Sequence, residues 1–131
     1  MTAFSVHDEA AHTGPNVLVV EDEVMVRELI AETLRDAGCE VSEAANADEA
    51  VRALRATAVP DVLITDVKLP GRMNGVELAA CVRRVQPRMK VIVTSGHASA
   101  ENARYVADAF LAKPFELKQL VGKVRSLAAD A

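Results

Sequence analysis

Acidic, hydroxyl and cationic side chains follow four separate apolar runs, each at the point where the run ends. Asp66 closes the run VLIT, and Glu21 and Asp22 follow the run NVLVV. Ser95 follows KVIVT, and Lys113 follows DAFLA. Two carboxylates ~4 Å apart repel each other by about 4 kcal/mol at an effective dielectric of ~20, so a cation is expected among them. Oxygen ligands that leave room for water and phosphate oxygens suit Mg2+.

Together these side chains predict chemistry on a phosphoryl group. Asp66 is the candidate nucleophile, because a carboxylate can attack phosphorus and form an acyl phosphate. A metal ion and Lys113 would neutralise charge on the transferred oxygens, while Ser95 would supply a hydroxyl. Each residue also has an ordinary alternative: a strand-end Asp or Ser can satisfy a turn, and a strand-end Lys can be solvated. The combination is more informative than any member alone.

The apolar runs predict strands that are covered on both faces. Residues 62–64 (VLI) are branched and apolar at successive positions, without the alternation of a half-solvated strand. Residues 16–20, 90–94 and 108–112 show similar runs, whereas residues 40–44 alternate weakly, as expected for an outer strand.

Apolar positions at helical spacing fill the intervals between the strands. Gly38 suits the end of the first helix, Asn46 can cap the second, and Pro87 ends the third. The predicted helices span residues 24–37, 47–57, 75–85, 98–106 and 115–128.

The order is therefore a strand and a helix repeated five times. It predicts an α/β fold, a flavodoxin-like doubly wound five-stranded parallel sheet with strand order 2-1-3-4-5. Strands 1 and 3 are neighbours in this order, so Glu21, Asp22 and Asp66 should converge. Residues 1–15 lack periodicity and are expected to form a flexible tail, and residues 16–129 form one domain.

Composition excludes several classes of partner. The 131 residues carry a net charge of -4 without a basic stripe, which argues against nucleic-acid binding by this chain. No segment has the apolar length of a membrane span or of a signal peptide, so a cytoplasmic location without membrane contact is expected. Cys39 and Cys81 fit no metal or disulfide pattern and are expected to be core or partly buried thiols.

Four motifs make the chain resemble a response-regulator receiver domain of two-component signalling, of the stand-alone single-domain type. They are VLVVED at residues 17–22, DVLITDVKLPG at 61–71, VIVTSG at 91–96 and FLAKPF at 110–115. The resemblance covers residues 16–128. Only residues 129–131 follow the last predicted helix, so no output domain is expected within this chain.

The resemblance implies a role for each site residue. Asp66 would accept a phosphoryl group from the phosphohistidine of a histidine kinase or phosphotransfer protein. Asp22, Asp66 and the backbone carbonyl of Lys68 would hold Mg2+, with Glu21 acting on the metal through water. Lys113 would contact the phosphoryl group.

The resemblance also implies a switch and a mode of signalling. Ser95 would move toward the phosphoryl oxygens, and Phe110 would swing inward and alter the surface around the last strand and helix. The bond between Lys113 and Pro114 is expected to be cis. The chain would act as a monomer or weak homodimer on a downstream protein, and it would be no enzyme beyond its own phosphorylation and dephosphorylation.

Several residues depart from the common family pattern or have open roles. Glu21 replaces the commoner Asp, Phe110 replaces the frequent Tyr, and residues 70–75 form a loop one residue longer than usual. Lys68 lies near the expected route of attacking water. His97 is interpreted as a loop residue. Val24 and Met25 either form an apolar docking edge for kinase helices or pack into the helix core.

Two rival functions belong to other classes. A phosphatase of the haloacid dehalogenase type also uses a strand-end Asp and Mg2+, but it needs a second Asp two positions later, where Lys68 stands. An interaction module that has lost phosphorylation would not need the complete set of Asp22, Asp66, Ser95 and Lys113.

Overall fold

Nine regular elements form the part of the chain that the computed structural model describes, residues 14–56, 59–96 and 106–130. Their bounds agree with the predicted ones to within two residues. Residues 98–105 of the predicted helix 98–106 lie outside the described ranges, as do His97 and residues 1–13 of the tail, and Val106 is in a turn. The elements are β1 (Asn16–Val20), α1 (Val24–Asp36), β2 (Glu40–Ala44), α2 (Ala47–Ala56), β3 (Val62–Asp66), α3 (Gly75–Val85), β4 (Lys90–Ser95), β5 (Ala109–Ala112) and α4 (Leu117–Ala129).

The five strands form one parallel sheet in the order β2-β1-β3-β4-β5, which confirms the predicted fold. Alternate residues of each central strand enter two separate cores. Leu18 and Leu63 pack with residues of α2 and α3, whereas Val17 and Ile64 pack with residues of α1 and α4. Since both faces are covered, the central strands are continuously apolar.

Polar capping side chains and a glycine determine where three of the helices begin or end. Gly38, two residues after the end of α1, has a φ of 96°, a conformation that glycine adopts without strain. Asn46 Oδ1 accepts the backbone N–H of Glu49 at 2.8 Å, as predicted for a cap. At α3, Asn74 and Glu77 form a reciprocal capping box that the sequence analysis did not identify.

Two side chains are more exposed than their sequence context indicates. Leu29 belongs to the apolar stripe of α1 but is 53% exposed, because the stripe is wider than the face that contacts the sheet. Cys39 is buried as predicted, whereas the prediction of a core or partly buried thiol is wrong for Cys81, which is exposed on α3. Among the helices described, none has the length and apolar character that crossing a bilayer requires.

Candidate functional site

The ends of four neighbouring strands bring the predicted site residues to one edge of the sheet. Val20 of β1 is in register with Thr65 of β3, so Glu21 and Asp66 follow at the same level. Asp66 is in register with Thr94, the residue before Ser95. The predicted convergence of these residues is therefore confirmed by the strand register.

Three carboxylates form a cluster at this edge. Glu21, Asp22 and Asp66 each offer one oxygen, and these oxygens lie within 4.8 Å of one another. Glu21 is 2% exposed and Asp66 9%, whereas Asp22 is open to solvent. A set of hard oxygen donors that is closed on one side and open on the other suits a divalent cation that retains water ligands.

Lys113 inserts its ammonium group between two of these carboxylates. Its Nζ lies 2.8 Å from Glu21 Oε1 and 3.0 Å from Asp66 Oδ2. Burial alone lowers the pKa of Lys113, but its bonds to Glu21 and Asp66 outweigh this effect and hold the pKa above its usual 10.5. Lys113 is thus a fixed positive charge at the site.

At Glu21, burial outweighs the effect of the neighbouring charges and hydrogen bonds on the pKa. Burial is the strongest influence and raises the pKa of its carboxyl above the usual 4.5, although Lys113 and the backbone N–H of Glu23 both favour the charged form. The Glu23 N–H donates to Glu21 Oε2 at 3.2 Å. One oxygen of Glu21 therefore faces a cation and the other a backbone donor.

Arg27 of α1 binds the backbone of the acidic turn at residues 21–23, a role that the sequence analysis did not identify. Its Nη1 donates to the backbone carbonyl of Glu21 at 2.8 Å. Its Nε lies 3.4 Å from Glu43 Oε1 on the edge strand β2, and Glu43 also pairs with Arg35 at 3.2 Å. No sequence signal distinguishes Arg27 from an ordinary solvated arginine of an amphipathic helix.

Gly75 allows α3 to begin directly against the backbone of Asp66. A Cβ at position 75 would lie 1.8 Å from the Asp66 carbonyl oxygen and 2.9 Å from Thr65 Oγ1. The Gly75 N–H donates to the Val67 carbonyl at 2.8 Å and thereby closes the loop of residues 68–74. Within that loop, the Lys68 N–H makes a long contact of 3.4 Å to Asp66 Oδ1.

The remaining predicted residues lie on β4 and β5 or two residues after β3. Ser95 is buried at the end of β4, and its carbonyl accepts the Lys113 N–H at 2.8 Å. Phe110 is exposed on β5, Lys68 is exposed beside Asp66, and the bond between Lys113 and Pro114 is cis, as expected. The motions predicted for Ser95 and Phe110 stay predictions.

Comparison with known proteins assigns the family. The response regulator receiver domain model matches residues 17–125, which include every residue of the cluster. The chain belongs to this family. A receiver domain is the phosphoacceptor of a response regulator in two-component signalling, and phosphorylation by kinases and onward signalling follow from membership.

Regulators of transcription are among the similar proteins. PdtaR of Mycobacterium tuberculosis is 37% identical over 118 residues, which cover 87% of this chain and 57% of PdtaR. PhoB of Pseudomonas aeruginosa is 32% identical over 120 residues, which cover 87% of this chain and 52% of PhoB. The chain thus spans about half the length of these relatives.

Solved receiver structures share the whole fold. A CheY-like receiver domain protein from Methanospirillum hungatei matches with a TM-score of 0.82 and 29% identity, covering 90% of this chain and 96% of that one. TrrA of Thermotoga maritima, solved in complex with Mg(2+)-BeF, matches with a TM-score of 0.78 and 30% identity over 86% and 98% of the chains.

Proposed function

We propose that Asp66 accepts the phosphoryl group from the phosphohistidine of a histidine kinase or phosphotransfer protein, in a step that requires Mg2+. The observation that carries this proposal is the position of the Lys113 ammonium between Glu21 and Asp66, beside three clustered carboxylate oxygens. Asp22, Asp66 and the backbone carbonyl of Lys68 would hold Mg2+, with Glu21 acting through water.

The side chains of the chain account for the transfer. An oxygen of Asp66 attacks phosphorus, the bond from phosphorus to the donor imidazole nitrogen breaks, and its electron pair returns to the imidazole. Lys113 already contacts Asp66 Oδ2, so its positive charge lies beside the position that the phosphoryl oxygens will occupy. Bound Mg2+ supplies further neutralisation of those oxygens. Beyond its own phosphorylation and dephosphorylation, we assign the chain no catalytic activity.

The donor protein docks on a groove beside Lys113. The groove, of about 750 Å³, lies between α1 and the start of α4 and is lined by Val26, Leu29, Phe115 and Leu117. Next to it on α1, Met25 is 82% exposed. An apolar surface at the mouth of the site fits the helices of a kinase or phosphotransfer protein, whose histidine must reach Asp66.

The phosphorylated domain signals through its surface. Ser95 moves toward the new oxygens, and Phe110 turns from its exposed position into the space that Ser95 vacates. The surface around β5 and α4 then changes for a downstream protein. We place this action in the cytoplasm, with the chain a monomer or weak homodimer.

Intact mass after incubation with Mg2+ and acetyl phosphate tests the acceptor. One added phosphoryl group is expected in the parent protein and none in Asp66→Asn or in the presence of a chelator. If the phosphorylated form is too short-lived to detect, binding of beryllofluoride to the same site can be measured by nuclear magnetic resonance. Absence of both the adduct and beryllofluoride binding would refute the phosphoacceptor role.

A pair of matched variants tests the docking groove. Met25→Asp should slow transfer from a phosphorylated phosphotransfer protein by about 10-fold, while leaving phosphorylation by acetyl phosphate unchanged. Val85→Asp changes an equally exposed apolar residue on α3 and is expected to leave both rates unchanged. Equal slowing by the two variants would contradict docking at α1.

A further inference from the structure

A second apolar surface lies between α2 and α3, on the sheet face opposite α1 and α4. This α2–α3 groove, of about 330 Å³, is lined by Leu54, Arg55, Val59, Cys81, Val85 and Gln86 among others. Val59 is 47% exposed and Val85 74%. The groove reaches the carboxyl ends of both helices, at the sheet edge away from Asp66, so the phosphoryl site does not explain it.

Two arginines border the α2–α3 groove, and two more lie near residues that line it. Arg55 lines it, and Arg88 lines an adjoining depression that shares Val59 and Gln86 with it. The other two, Arg52 and Arg84, lie one helical turn from Arg55 and Cys81, respectively. All four are exposed, and no salt bridge joins any of them to another described residue.

This concentration of positive charge contrasts with the rest of the chain. The protein carries a net charge of -4, with 15 basic and 19 acidic residues. Neighbouring Arg83, by contrast, is paired with Asp108. The four arginines form no salt bridge with another described residue, and together with the exposed aliphatic side chains they complement a segment that is acidic on its flanks and apolar along one stripe.

We propose that the α2–α3 groove docks an acidic amphipathic helix of a partner protein. Apolar residues one turn apart on that helix contact Val59 and Val85, and its flanking carboxylates face Arg55, Arg84 and Arg88. The aliphatic floor favours a protein over a nucleic acid, since no aromatic side chain lines the described groove for base stacking. The proposal does not depend on Asp66.

Cys81 provides a direct readout of occupancy. It is exposed in the groove, whereas Cys39 is buried and its pKa is raised by that burial, so a neutral alkylating reagent such as iodoacetamide modifies Cys81 first. The probes are two synthetic helical peptides of about 15 residues, with leucines one turn apart and either glutamates or lysines at the other positions.

The rate of Cys81 alkylation, measured by intact mass, should fall about 10-fold with saturating acidic peptide and remain unchanged with the lysine peptide. Arg55→Gln with Arg88→Gln should weaken the protection at least about fivefold, and Val85→Ser should do the same. Met25→Ser, on the α1 surface, is the control and should retain full protection.

Three results would overturn the proposal. The first is equal protection, or none, from the two peptides. The second is protection by a single-stranded oligonucleotide of about 20 nucleotides that Val85→Ser does not weaken, which would assign the arginines to phosphate binding. The third is protection that rises with protein concentration without peptide, which would assign the groove to a second copy. The same assay on Asp66→Asn keeps this outcome separate from that of the phosphoacceptor test.

Discussion

Replacement of Gly75 by alanine should damage both the fold and the phosphoacceptor site. The added Cβ would lie 1.8 Å from the Asp66 carbonyl oxygen and 2.7 Å from its carbon. Such contacts are essentially never shorter than 3.0 Å, so α3 or Asp66 must move by about 1.2 Å. Gly75 and Asp66 are both buried, so neighbouring atoms resist such movement.

The size of the effect follows from two opposing terms. Overpacking a buried position costs about 1–3 kcal/mol of unfolding free energy. Alanine in a helix recovers roughly 0.5–1 kcal/mol relative to glycine, because it loses less backbone entropy on folding. We therefore expect Gly75→Ala to lower the free energy of unfolding by up to about 2.5 kcal/mol.

Gly122→Ala is the matched control. Gly122 lies inside α4, and a Cβ there would meet nothing within 4 Å. Only the entropic term remains, so this variant should gain up to about 1 kcal/mol. In urea unfolding followed by circular dichroism, the two midpoints should differ by roughly 1 M.

Phosphorylation of the folded variants shows which group has moved. A displaced Asp66 should slow adduct formation from acetyl phosphate by about 10- to 100-fold, since 1 Å of misplacement is costly to catalysis. A normal rate of adduct formation together with lowered stability would mean that α3 moves instead of Asp66. If Gly75→Ala is as stable as Gly122→Ala, the close contact does not constrain the fold and the reasoning is refuted.

Three further predictions concern the charges of the site. Lys113→Met leaves Glu21 and Asp66 without their shared cation, so the free energy of unfolding in chelator at pH 7 should fall by about 1.5–3 kcal/mol in urea titrations. Because burial raises the pKa of Glu21 above 4.5, the folded state holds its proton where the unfolded chain has lost it. The stability of the metal-free protein should therefore decline as pH rises above about 4.5, and Glu21→Gln should flatten that decline. Arg27→Met removes the donor to the Glu21 carbonyl and should weaken Mg2+ binding in calorimetry by roughly 10-fold, whereas Arg125→Met, which loses a bond to the distant Ala37 carbonyl, should not.

Each of these three predictions has a contradicting result. Unchanged stability of Lys113→Met would mean that solvent already screens the carboxylates. If the free energy of unfolding rises between pH 5 and 7 in both the parent protein and Glu21→Gln, the pH dependence belongs to groups other than Glu21. Equal Mg2+ affinity in Arg27→Met and Arg125→Met would show that the acidic turn keeps its shape without Arg27.

The sheet and the carboxylate cluster were predictable because both follow from short stretches of sequence. A strand covered on both faces needs an unbroken apolar run, and such runs mark β1, β3 and β4. Once the strand order is known, Glu21 and Asp66 must meet, since they end neighbouring parallel strands. The suitability of the cluster for a divalent cation then follows from the residue types.

Features that depend on how helices sit against the sheet were not predictable in the same way. The contact between Gly75 and Asp66 arises because α3 starts against the end of β3, and sequence spacing does not report that distance. Arg27 reaches the Glu21 carbonyl for the same kind of reason, through the rotation of α1. The exposure of Leu29 and Cys81 likewise reflects which part of each helix faces the core.

The bond between the Gly75 N–H and the Val67 carbonyl has a consequence for protein engineering. It ties the two ends of the loop at residues 68–74, so added length should bulge outward at a small entropic cost instead of displacing Asp66. A foreign peptide grafted between Gly71 and Arg72, both exposed, would then stand beside the phosphoryl site without displacing Asp66. This loop is accordingly the place to build a sensor or an affinity handle into the domain.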